Sequence, residues 1–196
     1  MPVRDDLKDV WPNPVVFGKG HTYDRVMTDD GMTKIRRWET FQPKKYPDGV
    51  DVNGKPQWAI CYGHSGKTGV WPSQQEIAEG ELEFTEPQGS LILQQDLAVE
   101  FVPRLDRLID CNITTHMFNG VAVFAFNVGV TRFRRTLVLE NLNKGKYIAA
   151  CAAFLVDPQG QSLNNRQRNA EGILEVRNGL TCRRADEMSL FLTKVD

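Results

Sequence analysis

The sequence has no apolar run approaching the roughly 18 residues that a bilayer-crossing helix needs, so membrane insertion is not expected. Its first residues, Met1 to Lys8, are polar and partly acidic with no apolar core behind them, and predict no secretory signal. Cysteine is sparse. Cys61, Cys111, Cys151 and Cys182 stand far apart, with no CxxC pair and no Cys/His cluster, which speaks against a zinc site. Each lies in or beside an apolar segment, so buried free thiols are predicted. No internal repeat or low-complexity tract is present. Neither sign of charge dominates, since the net charge is only −1. The distribution is uneven, however. Residues 1–100 hold 11 Lys/Arg against 16 Asp/Glu, and residues 101–196 hold 13 against 9. A mildly basic second half favours a polyanionic partner, though weakly.

What is present suits one globular domain or two small lobes: 196 residues, 41% hydrophobic and 25% charged. Residues 1–27 are rich in Pro and Gly and read as an irregular extension. Thr28, Asp29 and Asp30 offer a cap and favourable charge for a helix starting near residue 29. Met32, Ile35 and Trp38 recur at helical spacing, and Pro43 lies beyond the helix end. Glu39 therefore falls at the helix C-terminus, where the dipole disfavours negative charge. The stretch 43–57 is full of turn formers, and Trp58 to Tyr62 reads as a strand, giving a small hairpin or meander. From Thr85 the pattern is helical. A helix over about 85–102 is predicted to kink or end at Pro103, and a second piece follows over roughly 104–110. Residues 115–128 form a helix apolar on most sides and so buried. Further helices are predicted over 131–142, 145–155 and 183–193. The fold class is α+β, mainly helical.

Glu39 and Asp48, nine residues apart, lie on either side of a loop, with Asp48 expected in a turn. Two such carboxylates can flank a glycosidic bond, one as a protonated acid and the other as an ionised partner. Surface charges with no such role are the competing reading of these two residues alone.

Longer motifs sharpen the picture. Trp38-Glu39, Tyr46-Pro47-Asp48 and Trp58-Ala59-Ile60-Cys61-Tyr62-Gly63-His64-Ser65 together resemble the active-site signature of phage-type lysozymes, the muramidases of glycoside hydrolase family 24. Val123-Phe124-Ala125-Phe126-Asn127-Val128-Gly129, Gly179-Leu180-Thr181-Cys182-Arg183-Arg184 and the stretch Phe84 to Leu97 resemble further blocks of that family, in family order. The resemblance implies a two-lobed fold: a small lobe over about 28–84, an interlobe helix over about 85–102 and a helical lobe over about 103–196. It implies cleavage of the β-1,4 bond of bacterial peptidoglycan by inversion, with no metal or organic cofactor. Neither nucleic acid nor a membrane is an expected partner. A monomer is expected, made in a host cytoplasm and reaching the wall by holin-dependent release or carriage on a virion.

By the same resemblance, Glu39 matches the general acid, which burial or the helix end should keep protonated. Asp48 matches the second carboxylate, with a gap of about 6.5–9.5 Å expected for an inverting enzyme. His64 and Asp96 match a structural salt bridge that ties the small lobe to the interlobe helix and holds His64 charged. Phe126, Asn127 and Tyr62 match cleft residues, with plain core the alternative for Phe126. Arg183 matches the basic residue beside the acid, with Arg184 the alternative. Two departures stand out. The family's strand Thr, which helps hold water, is replaced by Ala59, whose methyl cannot hydrogen-bond. Ser65, Thr68 or a backbone amide are the substitutes to consider, and a glycan-binding descendant or a transglycosylase is the alternative function. The loop after Asp48 is also longer than the family's, which makes Asp51 a rival carboxylate.

Overall fold

The structure, a computed structural model, describes residue 25 and residues 27–155 and 166–193. The predicted irregular extension over 1–27 thus lies outside the described residues, apart from Arg25 and Met27. Arg25 donates to the Asp106 carboxylate at 2.7 Å and to the Cys111 carbonyl at 3.0 Å, docking this end of the chain on the helical lobe.

The small lobe begins with α1 (Asp29–Trp38), which buries Met32 and Ile35. Thr28 stands at the N-cap, but its side chain does not cap the helix. Its hydroxyl instead accepts from the buried Asn119 amide at 2.6 Å, and its N–H donates back to Asn119 Oδ1 at 3.1 Å. Strands β1 (Gln42–Val50) and β2 (Pro56–Cys61) pair antiparallel, with Tyr46 opposite Ala59 and Pro47 opposite Trp58. The expected turn at Tyr46-Pro47-Asp48 is therefore strand. The pairing is irregular on both sides of this segment, as fits a residue without a backbone N–H. The turn lies further on, where Asp51 accepts from the Asn53 and Lys55 N–H groups, each at 2.8 Å.

Between β2 and the helix predicted from Thr85 lies a further helix that the sequence reading does not include, α2 (Gln74–Glu79). A reciprocal Ser73–Glu76 capping box starts it. Ile60, Cys61, Val70, Ile77, Phe84 and Ile92 form the core of this lobe. At Gly89 a Cβ would come within 3.1 Å of Cys61 Cβ, so glycine permits the close approach of the next helix to β2.

That helix, α3 (Glu86–Asp96), starts with Thr85 N–H donating to Gln88 Oε1 at 2.8 Å. The break expected at Pro103 comes earlier. Leu97–Phe101 is a π turn, in which Val102 N–H reaches Leu97 O, and α4 (Val102–Asp106) carries Pro103 in its first turn. Proline has no N–H and its ring crowds the carbonyl four residues back, so the widened turn absorbs both defects before the next helix begins.

In the helical lobe, α5 (Thr115–Val128) runs through the core. Thr114 Oγ1 caps it by accepting from Met117 N–H at 3.1 Å. Phe118, Val121, Val123 and Phe124 are fully buried on it, and each such side chain removed from water contributes about 1.5–3 kcal/mol. The helix expected over 131–142 is two: α6 (Val130–Phe133) and α7 (Leu137–Asn143), divided where the Thr136 hydroxyl starts α7. The segment expected as helix 145–155 is α8 (Tyr147–Ala152) followed by a 3₁₀ turn over Ala153–Leu155. A small hairpin that the sequence reading did not foresee, β3 (Arg166–Arg168) with β4 (Leu174–Val176), precedes α9 (Asn178–Phe191). Helix α9 starts five residues before the predicted 183. It packs on α5 at Gly120, where a Cβ would meet the Glu187 carbonyl oxygen at 2.8 Å and Phe191 N at 2.9 Å.

All four cysteines are free thiols, but only Cys61 and Cys151 are buried. Cys111 is half-buried and Cys182 exposed, on the outer side of α9. Among the described residues no helix is long and apolar enough to cross a membrane.

Candidate active site

Glu39 is the C-cap of α1. Its extended backbone turns the chain out of the helix and towards β1. Its carboxylate, 28% exposed, accepts from Arg183 Nη2 at 2.7 Å. Arg183 itself is buried on α9, and its Nε donates to Glu187 Oε1 at 3.3 Å. Arg184 takes a different path. It is fully buried, lies over the Phe124 ring at 4.8 Å, donates through Nη2 to Asn127 Oδ1 at 2.5 Å, and forms an ion pair with Glu187 Oε1 at 3.0 Å. The guanidinium beside Glu39 is thus that of Arg183, and neither arginine lies on a solvated face. Asn127 keeps its amide nitrogen as the group able to donate to a ligand.

Burial pushes the Glu187 carboxyl up to about 7, against the opposing pull of Arg184 and Arg183. Burial likewise pulls Arg184 down to about 10 despite Glu187. The cluster is held at a desolvation cost, as buried ion pairs are.

Asp48, on β1, faces a cavity of about 790 Å³ between the lobes, together with Tyr62, Ser65, Asp96, Phe101 and Phe126. Asp51 is committed elsewhere, to the two N–H groups of the hairpin turn. Tyr46 links the two carboxylates electrostatically. Burial, then the charges of Asp48 and Glu39 and the Cys61 thiol, push its phenol up. The phenol therefore stays neutral, with both acids in its surroundings. Ala59 is fully buried directly opposite Tyr46. Thr68 is spent, because its hydroxyl donates to Asp96 Oδ1 at 2.5 Å; Ser65 still faces the cavity.

His64 is buried, with Nδ1 at 2.8 Å from Asp96 Oδ2 and Nε2 at 2.7 Å from the Pro72 carbonyl. A carbonyl only accepts, so Nε2 donates; with Nδ1 also donating to the carboxylate, the ring is an imidazolium. Burial pulls this group down. The hydrogen bond and charge of Asp96, with help from Pro72, outweigh it and leave the value raised. Tyr62 borders the cavity, but its hydroxyl is committed to Glu86 Oε1 at 2.9 Å. Phe126 is half-buried and does both things asked of it: it packs on Phe101 at 5.4 Å and lines the cavity.

The sequence model of the family described as "Phage lysozyme" matches residues 36–187. The chain belongs to the phage lysozyme family. Among relatives, the lysozyme-family chain is 30% identical over 163 residues to an endolysin of Bacillus phage B103, covering 83% of this chain and 52% of that protein. It is 29% identical over 131 residues to the endolysin of Salmonella phage P22, covering 66% of this chain and 82% of that one. The chain thus spans about half the length of the Bacillus-phage relatives that it matches. A solved structure of P22 lysozyme superposes with a TM-score of 0.61 at 26% identity, covering 85% of this chain and 98% of the other. The muramidase domain of SpmX from Asticaccaulis excentricus shares the fold, with a TM-score of 0.66 at 24% identity and coverage of 86% and 99%.

Two residues beside the candidate site escaped the sequence reading. Tyr46 was visible within the Tyr-Pro-Asp motif but was passed over as a marker for Asp48. Glu187 gave no signal, because a glutamate in a charged helical segment looks like a surface residue until the fold buries it.

Proposed function

We propose that the chain is a glycosidase that hydrolyses the β-1,4 bond between N-acetylmuramic acid and N-acetylglucosamine in bacterial peptidoglycan. In this reading Glu39 protonates the leaving oxygen, and Asp48 activates water on the other face of the sugar, with inversion. Phe126 and the Asn127 amide hold the sugar chain, and the His64–Asp96 pair ties the lobes together. The single observation carrying the reading is that Glu39, at the end of α1, is held at 2.7 Å by the buried Arg183, while Asp48 lines the cavity between the lobes. Membership of the phage lysozyme family supports the same chemistry.

Chloroform-treated Gram-negative cells test the proposal. The wild type should clear the suspension far faster than Glu39→Gln, and equal rates refute it. Ala59 favours a second reading, because its buried methyl cannot hold an attacking water. The sugar's own hydroxyl would then close the ring, making the chain a lytic transglycosylase. Mass analysis of released fragments separates the two, since anhydro ends are lighter by one water.

A further inference from the structure

We propose that Glu187 is a positioning residue: one buried carboxylate oxygen grips Arg183 and Arg184 and, through them, fixes both the acid Glu39 and the sugar-binding amide of Asn127. This rests on the roles given to those two residues in the proposed function. The geometry is a fork. On α9, Arg183 lies four residues before Glu187 and Arg184 three, so both guanidiniums reach the same Oε1, at 3.3 and 3.0 Å. From there they diverge. Arg183 runs to the end of α1 and meets Glu39 at 2.7 Å, while Arg184 runs to the end of α5 and meets Asn127 at 2.5 Å. Two functional groups from distant parts of the chain are thereby indexed to one atom.

A purely structural role fits this arrangement poorly. Glu187 has no exposure, and its Oε2, like Arg184 Nε and Nη1, has no hydrogen-bond partner among the described residues. A helix crossing that needed only cohesion would be held as well by apolar side chains of similar size. The costly charges make sense where direction matters, because hydrogen-bonded forks fix orientation and packing alone does not. Without Glu187, two adjacent buried cations would repel each other, and Glu39 and Asn127 would inherit whatever separation the arginines then adopt.

The test compares Glu187→Met and Glu187→Gln with the wild type on soluble peptidoglycan fragments, with melting temperature measured alongside. Glu187→Met strands the buried Arg184 without its carboxylate and is expected to melt below the wild type; assayed below its own melting temperature, where it is fully folded, it should still lose on the order of 10–100-fold in kcat, the usual consequence of a misplaced catalytic group. KM should rise about threefold through Asn127, the worth of one hydrogen bond. A Glu187→Met variant that keeps wild-type kcat and KM overturns the proposal while leaving the glycosidase reading intact. If the wild type does not cleave, the glycosidase reading fails and fragment affinity decides: loss of binding in both variants supports the fork, and unchanged binding overturns it. A wild type that neither cleaves nor binds overturns both. Should neither variant fold, the Nη–H resonances of Arg183 and Arg184 in the wild-type protein decide: separate signals from slow guanidinium rotation support the grip, and fully averaged signals refute it.

Discussion

Replacing Asp96 with Asn should loosen the joint between the lobes by an amount the structure allows to be worked out. The His64 side chain is 1% exposed and that of Asp96 13%, so the pair is well shielded from solvent. Removing one partner of a buried ion pair costs about 3–5 kcal/mol, mostly because a charge is left uncompensated. His64 can escape part of this by shedding its proton, which brings the cost below that range, to about 2–3 kcal/mol. The new amide oxygen can still accept from His64, but its NH2 then faces Thr68, whose hydroxyl must turn from donor to acceptor, so the contacts at 2.8 and 2.5 Å lose the strength that a charged carboxylate gave them. For a chain of this length the change corresponds to a fall in Tm of about 4–12 °C. The pH dependence has a definite sign. His64 is raised in the folded state, so its stabilisation is complete below its unfolded value of about 6.5 and is lost as pH rises through the folded value. The gap between wild type and Asp96→Asn in urea unfolding should therefore be widest at pH 6 and smaller at pH 9. A gap below about 0.5 kcal/mol at pH 6, or one that widens with pH, would refute the reasoning.

Three further outcomes are expected. Ala59→Thr puts a hydroxyl opposite Tyr46 in a fully buried position; turnover of peptidoglycan should rise, while overpacking lowers stability by about 1–3 kcal/mol, read from lysis rates and urea unfolding. Gly120→Ala forces a methyl against the α9 backbone at 2.8–2.9 Å; stability should fall by about 1–3 kcal/mol, and lysis should fall further than the unfolded fraction explains, because Arg183 and Arg184 move with that backbone. Arg135, exposed on the cavity rim, should bind the anionic wall electrostatically; Arg135→Glu should raise KM about 3–10-fold at low salt with kcat unchanged, the difference fading at high salt.

Much of the fold was legible because its signals are local. The apolar run over 115–128 could only be a buried helix, and α5 spans Thr115–Val128. The hairpin announced itself through its turn formers, although the turn sits at Asp51 and not at Tyr46-Pro47-Asp48. The helix at Ser73 was missed although Ser73-x-x-Glu76 spells a capping box, because its turns are short and mostly polar. The division of α6 from α7 hangs on one threonine cap at Thr136, which a periodic count smooths over. The β3–β4 hairpin has only three residues in each strand, and its turn is held by the Asn169 side chain, accepting from Ile173 N–H at 2.9 Å, so the brief alternation of Leu174-Glu175-Val176 is too short to read as a strand. In the site, Glu39 and Arg183 could be singled out from motifs, and the structure places them in contact. Their link to Asn127 through Arg184 and Glu187 depends on how α9 crosses α5, and no spacing along the chain encodes that.

The widened turn at Leu97–Phe101 also changes how the chain can vary. One surplus residue in a helical turn rotates everything beyond it by roughly 100°. Asp96, just before the turn, serves His64 in the small lobe, whereas Leu105, just after it, is buried in the helical core. A regular helix through this stretch would satisfy one of those commitments and turn the other outward. Deleting a single residue between 97 and 101 would therefore make a better helix and a worse protein, and insertions or deletions should be far better tolerated at the hairpin tip than here.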